Sequence, residues 1–123
     1  MQPKDTPKDL VEISHPGGHL LARVLAPSVG QSEAPLLRDA VVSRYGEAAA
    51  GKALVIDLSH VSLVSSLGLG TIVDIRNTAE KAGLRPCVFG LNRHLLELFQ
   101  LMRIERLFTI LRSQQDLDGV LGS

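Results

Sequence analysis

The sequence predicts a single α/β domain, in which about four helices cover a mixed sheet of four or five strands, mainly on one face. Three observations predict this fold class. The chain has 123 residues, 45% of them hydrophobic, which is enough for one core. Short apolar runs alternate with stretches of helical periodicity, as in parallel strands joined by right-handed crossovers. A Pro-Gly-Gly turn separates the first two apolar runs and predicts an antiparallel hairpin.

The chain is predicted to begin with a tail and this hairpin. Residues 1–8 are polar and include two prolines, so we expect a flexible tail and assign the domain to residues 9–123. The hairpin strands are predicted at residues 10–14 and 19–25. Residues 26–31 are predicted to form a loop.

A first helix is predicted after this loop. Ser32 is its expected N-cap, and Glu33 and Pro35 suit its first turn. The helix is expected to continue to about Ala49 and to stop at Gly51.

The middle of the chain predicts a strand and a second helix. Residues 53–58 form an almost continuous apolar run, which is typical of a central strand covered on both faces. From Ser66 onward apolar residues recur at helical spacing, and Gly83 is the expected C-cap.

The last third predicts two further strands and two further helices. The strands are expected at residues 86–89 and 107–111, and the helices behind the N-caps Asn92 and Ser113, the latter ending near Leu121. On the third helix the apolar stripe predicts which side chains are core. The predicted core residues are Leu95, Leu98, Phe99 and Met102, whereas Leu96 and Leu101 are expected to point partly outward and to be available to a partner.

Charge and composition limit the classes of partner. Thirteen basic and thirteen acidic side chains cancel, so no global field attracts nucleic acid or an anionic membrane. The apolar runs are far shorter than the roughly 20 residues of a membrane span, so no membrane insertion is expected. The single Cys87 cannot form an internal disulfide, and no signal sequence is recognisable, which predicts a cytoplasmic protein.

Motifs for nucleotide binding are incomplete. Gly51-Lys52 is followed by Ala53, whereas a Walker A loop needs a hydroxyl residue there. Gly68-Leu69-Gly70 resembles half of a dinucleotide fingerprint, but Val73 replaces the third glycine. We therefore expect no cofactor.

Catalytic and metal-binding patterns are also missing. Neither Ser65 nor Ser66 has a glycine two places before it, as a nucleophile elbow requires. The histidines lack metal-ligand spacing and are expected at the surface or in loops, and Cys87 is expected to be buried. These histidines are His15, His19, His60 and His94. The protein is predicted not to be an enzyme but to regulate by binding a partner.

Residues 57–70 join the predicted central strand to the second helix, where a functional site is expected. Unpaired N–H groups at a helix N-terminus stabilise a capping serine or a phosphate. Gly68 and Gly70 leave the first turn without bulky side chains, which suggests close approach by another backbone. The alternative is that Ser65 or Ser66 only caps the helix and that the glycines only permit tight packing.

The segment Asp57-Leu58-Ser59-His60-Val61, followed by Ser65-Ser66-Leu67-Gly68-Leu69-Gly70, resembles the STAS domain. This module occurs in anti-sigma factor antagonists and in the cytoplasmic tails of sulfate transporters. The resemblance extends over the order of elements from about residue 10 to 120. It includes residues 87–92, which match the family's fourth strand and the turn after it.

The resemblance implies a phosphorylation site and a partner. In the antagonists, an anti-sigma factor with serine kinase activity phosphorylates the first serine after the motif's Asp, which corresponds to Ser66. Other STAS or regulatory proteins are the alternative partners, and the oligomeric state is left open. The expected partner-binding residues are His60, Ser65, Ser66, Leu67, Gly68 and Gly70.

Two departures from the family pattern favour a second hypothesis. Ser65 replaces the motif's Asp, and no acidic residue occurs between Glu12 and Glu33, where family members have one after the second strand. Both acids line the kinase-facing surface in the family. The alternative function is therefore a STAS scaffold subunit of a larger complex, of the stress-sensing or lipid-transport type, without a phosphorylation cycle.

Overall fold

The computed structural model describes residues 9–123, and the predicted tail, residues 1–8, lies outside the described residues. The strands are β1 Val11–Ser14, β2 Leu20–Val24, β3 Ser28–Val29, β4 Ala53–Asp57, β5 Leu63–Val64, β6 Arg85–Phe89 and β7 Thr109–Leu111. The helices are α1 Glu33–Val42, α2 Ser66–Lys81, α3 Arg93–Leu101 and α4 Gln114–Leu121. No helix in this part of the chain has the length and apolar character needed to cross a membrane.

The main sheet has five strands in the order β1-β2-β4-β6-β7. Strands β1 and β2 pair antiparallel, and the other three pairings are parallel. The mixed sheet and its opening hairpin are therefore confirmed. Every residue of β4 is buried, in agreement with its predicted central position.

Three helices pack on one face of this sheet and one on the other. A large core cluster includes Leu37 of α1, Ile72 of α2 and Phe99 of α3 together with Leu54 and Ile56 of β4. Residues that alternate with these along the strands pack against α4 instead. That smaller cluster contains Leu21, Ala53, Val55, Cys87, Leu111 and Leu117. The expectation of helices mainly on one face is confirmed.

The predicted helix ends are confirmed for α2, α3 and α4. The Leu95 N–H donates to Asn92 Oδ1 at 2.7 Å, and the Asp116 N–H donates to Ser113 Oγ at 3.1 Å. Gly83 follows α2 with φ +85°, a left-handed conformation that glycine adopts without strain.

The prediction for α1 was right about where the helix begins and wrong about where it ends. The helix begins at Glu33 with Ser32 at the N-cap position, but Ser32 has helical dihedral angles and makes no capping hydrogen bond. Glu33 Oε1 instead accepts from the Gly30 N–H at 2.9 Å. The helix ends at Val42 and not near Ala49. A short 3-10 turn follows, in which the Tyr45 hydroxyl donates to the Ile75 carbonyl at 2.7 Å and fixes the chain against α2.

Two short strands and a 3-10 turn were not predicted. The predicted loop at residues 26–31 contains β3, which pairs parallel with β5. Two residues are too few to show a period of two, so neither strand has a sequence signal. The last strand begins at Thr109 and not at residue 107, because Glu105–Leu107 forms a 3-10 turn.

On α3 the core prediction is wrong for Met102. Leu95 and Phe99 are buried, and Leu98 is half-buried. Met102 is 54% exposed, since α3 ends at Leu101 and Met102 lies at the C-cap. Leu101 is exposed, in agreement with the prediction.

His19 is buried, which corrects its predicted surface position. Its Nδ1 accepts from the Ala53 N–H at 3.0 Å, and its Nε2 lies 3.3 Å from the Ser123 carbonyl oxygen. The other three histidines are exposed. Cys87 is buried as predicted, and burial raises the pKa of its thiol.

Candidate partner-binding site

The predicted site extends over the segment of residues 58–65, which follows β4, and continues into the first turns of α2. Asp57 is only 2% exposed, and both of its carboxylate oxygens are used. Oδ1 accepts from the Ser59 N–H at 2.9 Å, and Oδ2 accepts from Arg23 Nε at 3.1 Å. The Leu58 N–H donates to the Phe89 carbonyl at 2.8 Å. The start of the segment is thus attached to the sheet.

The rest of this segment is held by its neighbours on two sides. The Ser62 N–H donates to the Pro27 carbonyl at 2.8 Å, and the Ser65 N–H donates to the Val29 carbonyl at 3.0 Å. On the other side Gly90, with φ +82°, touches Ser59 so closely that an added Cβ would lie 2.8 Å from the Ser59 N. The segment therefore has few ways to move.

Ser65 and Ser66 have different positions at the start of α2. Ser65 is the N-cap, and its Oγ accepts from the Gly68 N–H at 3.0 Å. Ser66 is the first helical residue, is exposed, and makes no side-chain hydrogen bond to any described residue. The expected exposed placement of Ser66 in the first turn is thus observed, and its hydroxyl is available.

The two glycines of α2 also differ. A Cβ on Gly68 would lie 2.3 Å from the Val29 carbonyl oxygen, so glycine is needed for β3 to approach the helix. Gly68 is buried by this contact. Gly70 is exposed, and a Cβ there would meet no atom within 4 Å.

An apolar groove of about 350 Å³ separates the N-terminal half of α2 from the end of α3. None of the residues that line it is charged. They are Val64, Ser65, Ser66, Leu69, Gly70, Val73, Leu98, Met102 and Ile104. We call this feature the α2–α3 groove.

Four large exposed apolar side chains lie along the site segment, helix α2 and the end of α3. They are Leu63, which is 59% exposed, Leu67 at 53%, Leu101 at 77% and Met102 at 54%. Water-exposed leucine and methionine side chains grouped in this way are typical of a surface that binds another molecule.

The structure brings together only part of the predicted site. Ser65, Ser66 and Gly70 line the α2–α3 groove, and Leu67 is exposed on the same helix turn. His60 is exposed but is not a lining residue, and its Nδ1 lies 3.4 Å from Ser59 Oγ. The partner-binding role of all six predicted residues remains a prediction.

On α3 the residues expected to be available to a partner were Leu96 and Leu101, whereas the groove is lined by Leu98 and Met102. Leu98 and Met102 were assigned to the core, because their helical spacing does not distinguish a core from a groove lining. Within residues 9–123, no group of three or more histidine, cysteine, aspartate or glutamate side chains is placed to hold a metal ion. The uncharged lining of the α2–α3 groove is suited to an apolar ligand, such as the apolar surface of another protein.

The chain is a small α/β domain with a mixed sheet, and comparison with known families identifies its class. The family model described as "STAS domain" matches residues 20–117, so the chain belongs to the STAS domain family. No curated protein sequence matches the chain at a significant level.

Solved structures with the same fold include anti-sigma factor antagonists. A STAS protein of this type from Planctomyces limnophilus has a TM-score of 0.78 at 11% identity, over 90% of this chain and 96% of that one. An anti-sigma factor antagonist from Mycobacterium paratuberculosis has a TM-score of 0.74 at 20% identity, over 97% of both chains. The Bacillus cell fate determinant SpoIIAA, in its phosphorylated form, has a TM-score of 0.65 at 11% identity, over 89% and 98%.

Proposed function

We propose that this protein is a cytoplasmic regulator of the anti-sigma factor antagonist type, which binds an anti-sigma factor with serine kinase activity through the surface around Ser66. Phosphorylation of Ser66 would switch this binding off. The observation that supports the proposal most is the division of labour at the start of α2. Ser65 caps the helix, and the exposed Ser66 hydroxyl makes no hydrogen bond within residues 9–123.

The proposed reaction takes place on the partner kinase. The Ser66 Oγ attacks the γ-phosphorus of the ATP that the kinase binds; the new Oγ–P bond forms, the bond to ADP breaks, and the hydroxyl proton passes to a base of the kinase. This chain is the substrate and supplies no catalytic group.

The added phosphate acts through charge. The N-terminal end of α2 stabilises nearly two negative charges on the free protein. In a complex the same charges lie against the uncharged α2–α3 groove, where desolvation and repulsion oppose binding. The structural similarity to SpoIIAA, which is described in a phosphorylated form, supports this proposal.

Two substitutions of Ser66 test the switch. We expect Ser66→Asp to weaken binding to the anti-sigma factor of the same cell by about tenfold or more, since it adds charge to the contact surface. Ser66→Ala is the matched control and should bind like the wild type. Calorimetric titration measures both affinities, and mass spectrometry after incubation with the kinase and ATP locates the phosphate. Equal affinities of the wild type and Ser66→Asp would contradict the switch.

A scaffold subunit of a stress-sensing or lipid-transport complex is the second candidate. The observation that favours it is the absence of the two family acids, since Ser65 replaces one and no acidic residue occurs between Glu12 and Glu33. Such a subunit would co-purify from its native host in a stable complex whether or not ATP is present. Ser66 would then stay unmodified in that complex.

A further inference from the structure

Gly70 is a residue that the fold does not explain. Glycine is among the least favourable residues in a helix, and it is usually retained where another group approaches closely. Gly68 has such a reason within the domain, namely the carbonyl of Val29. Gly70 has none: it is exposed, its φ is not in the left-handed region, and the space beside it is open.

Gly70 lies in the lining of the α2–α3 groove. Ser66, Leu69, Gly70 and Val73 have the spacing i, i+3, i+4 and i+7 and form one stripe of α2. Leu98 and Met102 on α3 are four residues apart and form the opposite wall. The missing side chain at Gly70 lets an occupant of the groove come close to the α2 backbone.

An arginine adjoins the end of the opposite wall in the sequence. Arg103 stands between the groove residues Met102 and Ile104, and it is exposed. Within residues 9–123 its side chain forms no ion pair or hydrogen bond. Its φ of +59° belongs to the left-handed region, where glycine is favoured, so the fold alone does not account for arginine here either.

We propose that the α2–α3 groove binds the apolar face of an amphipathic helix of the partner protein, which packs against Gly70 and directs an acidic side chain to Arg103. A groove between two helices suits the side-chain ridges of a third. The exposed Leu63, Leu67 and Leu101 extend the apolar surface beyond the groove, so the occupant is wider than one acyl chain. This inference rests on the proposed function in taking the Ser66 end of α2 as the partner-facing surface.

A displayed library of peptides with randomised sequences tests the proposal on the full chain. Peptides of about 18 residues, or five turns, are selected on the wild type. We expect the selected peptides to share an apolar i, i+3/i+4, i+7 pattern with one acidic position. In NMR titrations their binding should shift the signals of Val73, Leu98 and Ile104.

Matched variants then locate the contact. Gly70→Leu fills the groove and should lower peptide affinity about tenfold or more. Gly119→Leu is the control, since Gly119 is also helical with open space beside it, and should change affinity less than about twofold. Arg103→Gln should lower affinity about three- to tenfold, with a weaker effect at high salt, whereas Arg112→Gln should have little effect.

Several results would overturn the proposal. One is unchanged affinity of Gly70→Leu, and another is a set of peptides whose NMR shifts map to α4. Self-association of the wild type that Gly70→Leu abolishes would show that the occupant is a second copy. Shifts of groove signals by decanoate, without any binding peptide, would assign the groove to an acyl chain.

The selected peptides also separate this inference from the proposed switch. If peptides bind the groove but the kinase does not modify Ser66, the helix site stands and the switch is wrong. If the kinase modifies Ser66 but no peptide binds, the switch stands and the helix site is wrong.

Discussion

Two adjacent serines have different roles at the start of α2. A helix has unpaired N–H groups in its first turn, and Ser65 satisfies one of them through its side chain. Ser66 follows it by one residue and is not needed for this purpose. A residue that the fold does not use, exposed beside a groove, is free to be selected for function.

This division predicts unequal effects on stability. Ser65→Ala should lower the free energy of unfolding by about 1 kcal/mol, because the Gly68 N–H loses its acceptor. Ser66→Ala should change it by less than about 0.5 kcal/mol, as is usual for surface substitutions. Urea unfolding followed by circular dichroism measures both. Equal losses for the two variants would mean that Ser66 also has a capping role.

Helix α2 contains two glycines with different roles. At Gly68 the absent side chain lets β3 contact the helix, and at Gly70 it leaves the groove open. Sequence analysis anticipated that glycine here permits close approach. It could not assign one glycine to the domain and the other to the surface, because the difference depends on the two-residue strand β3.

Alanine substitutions at these two positions should therefore change the free energy of unfolding in opposite directions. Gly68→Ala places a methyl group against a backbone carbonyl and should destabilise the protein by about 1–3 kcal/mol. Gly70→Ala meets no atom and gains helix propensity, so it should stabilise the protein by up to about 1 kcal/mol. Thermal and urea denaturation decide the signs. A destabilised Gly70→Ala would show that the fold itself needs this glycine.

Buried His19 connects β4 to Ser123, two parts of the chain that are distant in the sequence. Its Nδ1 accepts from the Ala53 N–H, so Nδ1 has no room for a proton of its own. Burial accordingly lowers the pKa of His19 from its ordinary value of 6.5. Protonation of Nδ1 would place a second N–H donor opposite the Ala53 N–H, with no acceptor between them.

The stability of the domain should therefore fall in mild acid. Below pH 6.5 the unfolded chain binds a proton at His19 that the folded chain does not, so stability decreases as the pH falls from there toward the lower folded pKa. His19→Gln keeps an acceptor for the Ala53 N–H but does not titrate, and should lose this part of the pH dependence. The exposed His94→Gln is the control. Urea unfolding between pH 5 and 8 measures how the free energy of unfolding changes with pH. If His19→Gln kept the wild-type pH dependence, His19 would not be its cause.

The sequence was sufficient for the architecture because that architecture depends on strong local signals. The apolar run at residues 53–58 and the caps Asn92 and Ser113 each come from local residue patterns. The site was harder to predict, since its α2–α3 groove forms between elements that are distant in the sequence. His19 was misplaced for a related reason: its partners, Ala53 and Ser123, are 34 and 104 residues away.

The attachment of residues 58–65 on both sides has a consequence for kinetics. Their backbone is bound to the segments before α1 and after β6, so the surface around Ser66 is already ordered before a partner arrives. Little conformational entropy is then lost on docking, and the encounter need not wait for a rearrangement of the loop. The response rate of the proposed switch would then depend on the chemistry at Ser66 and on partner dissociation, rather than on a rearrangement of residues 58–65.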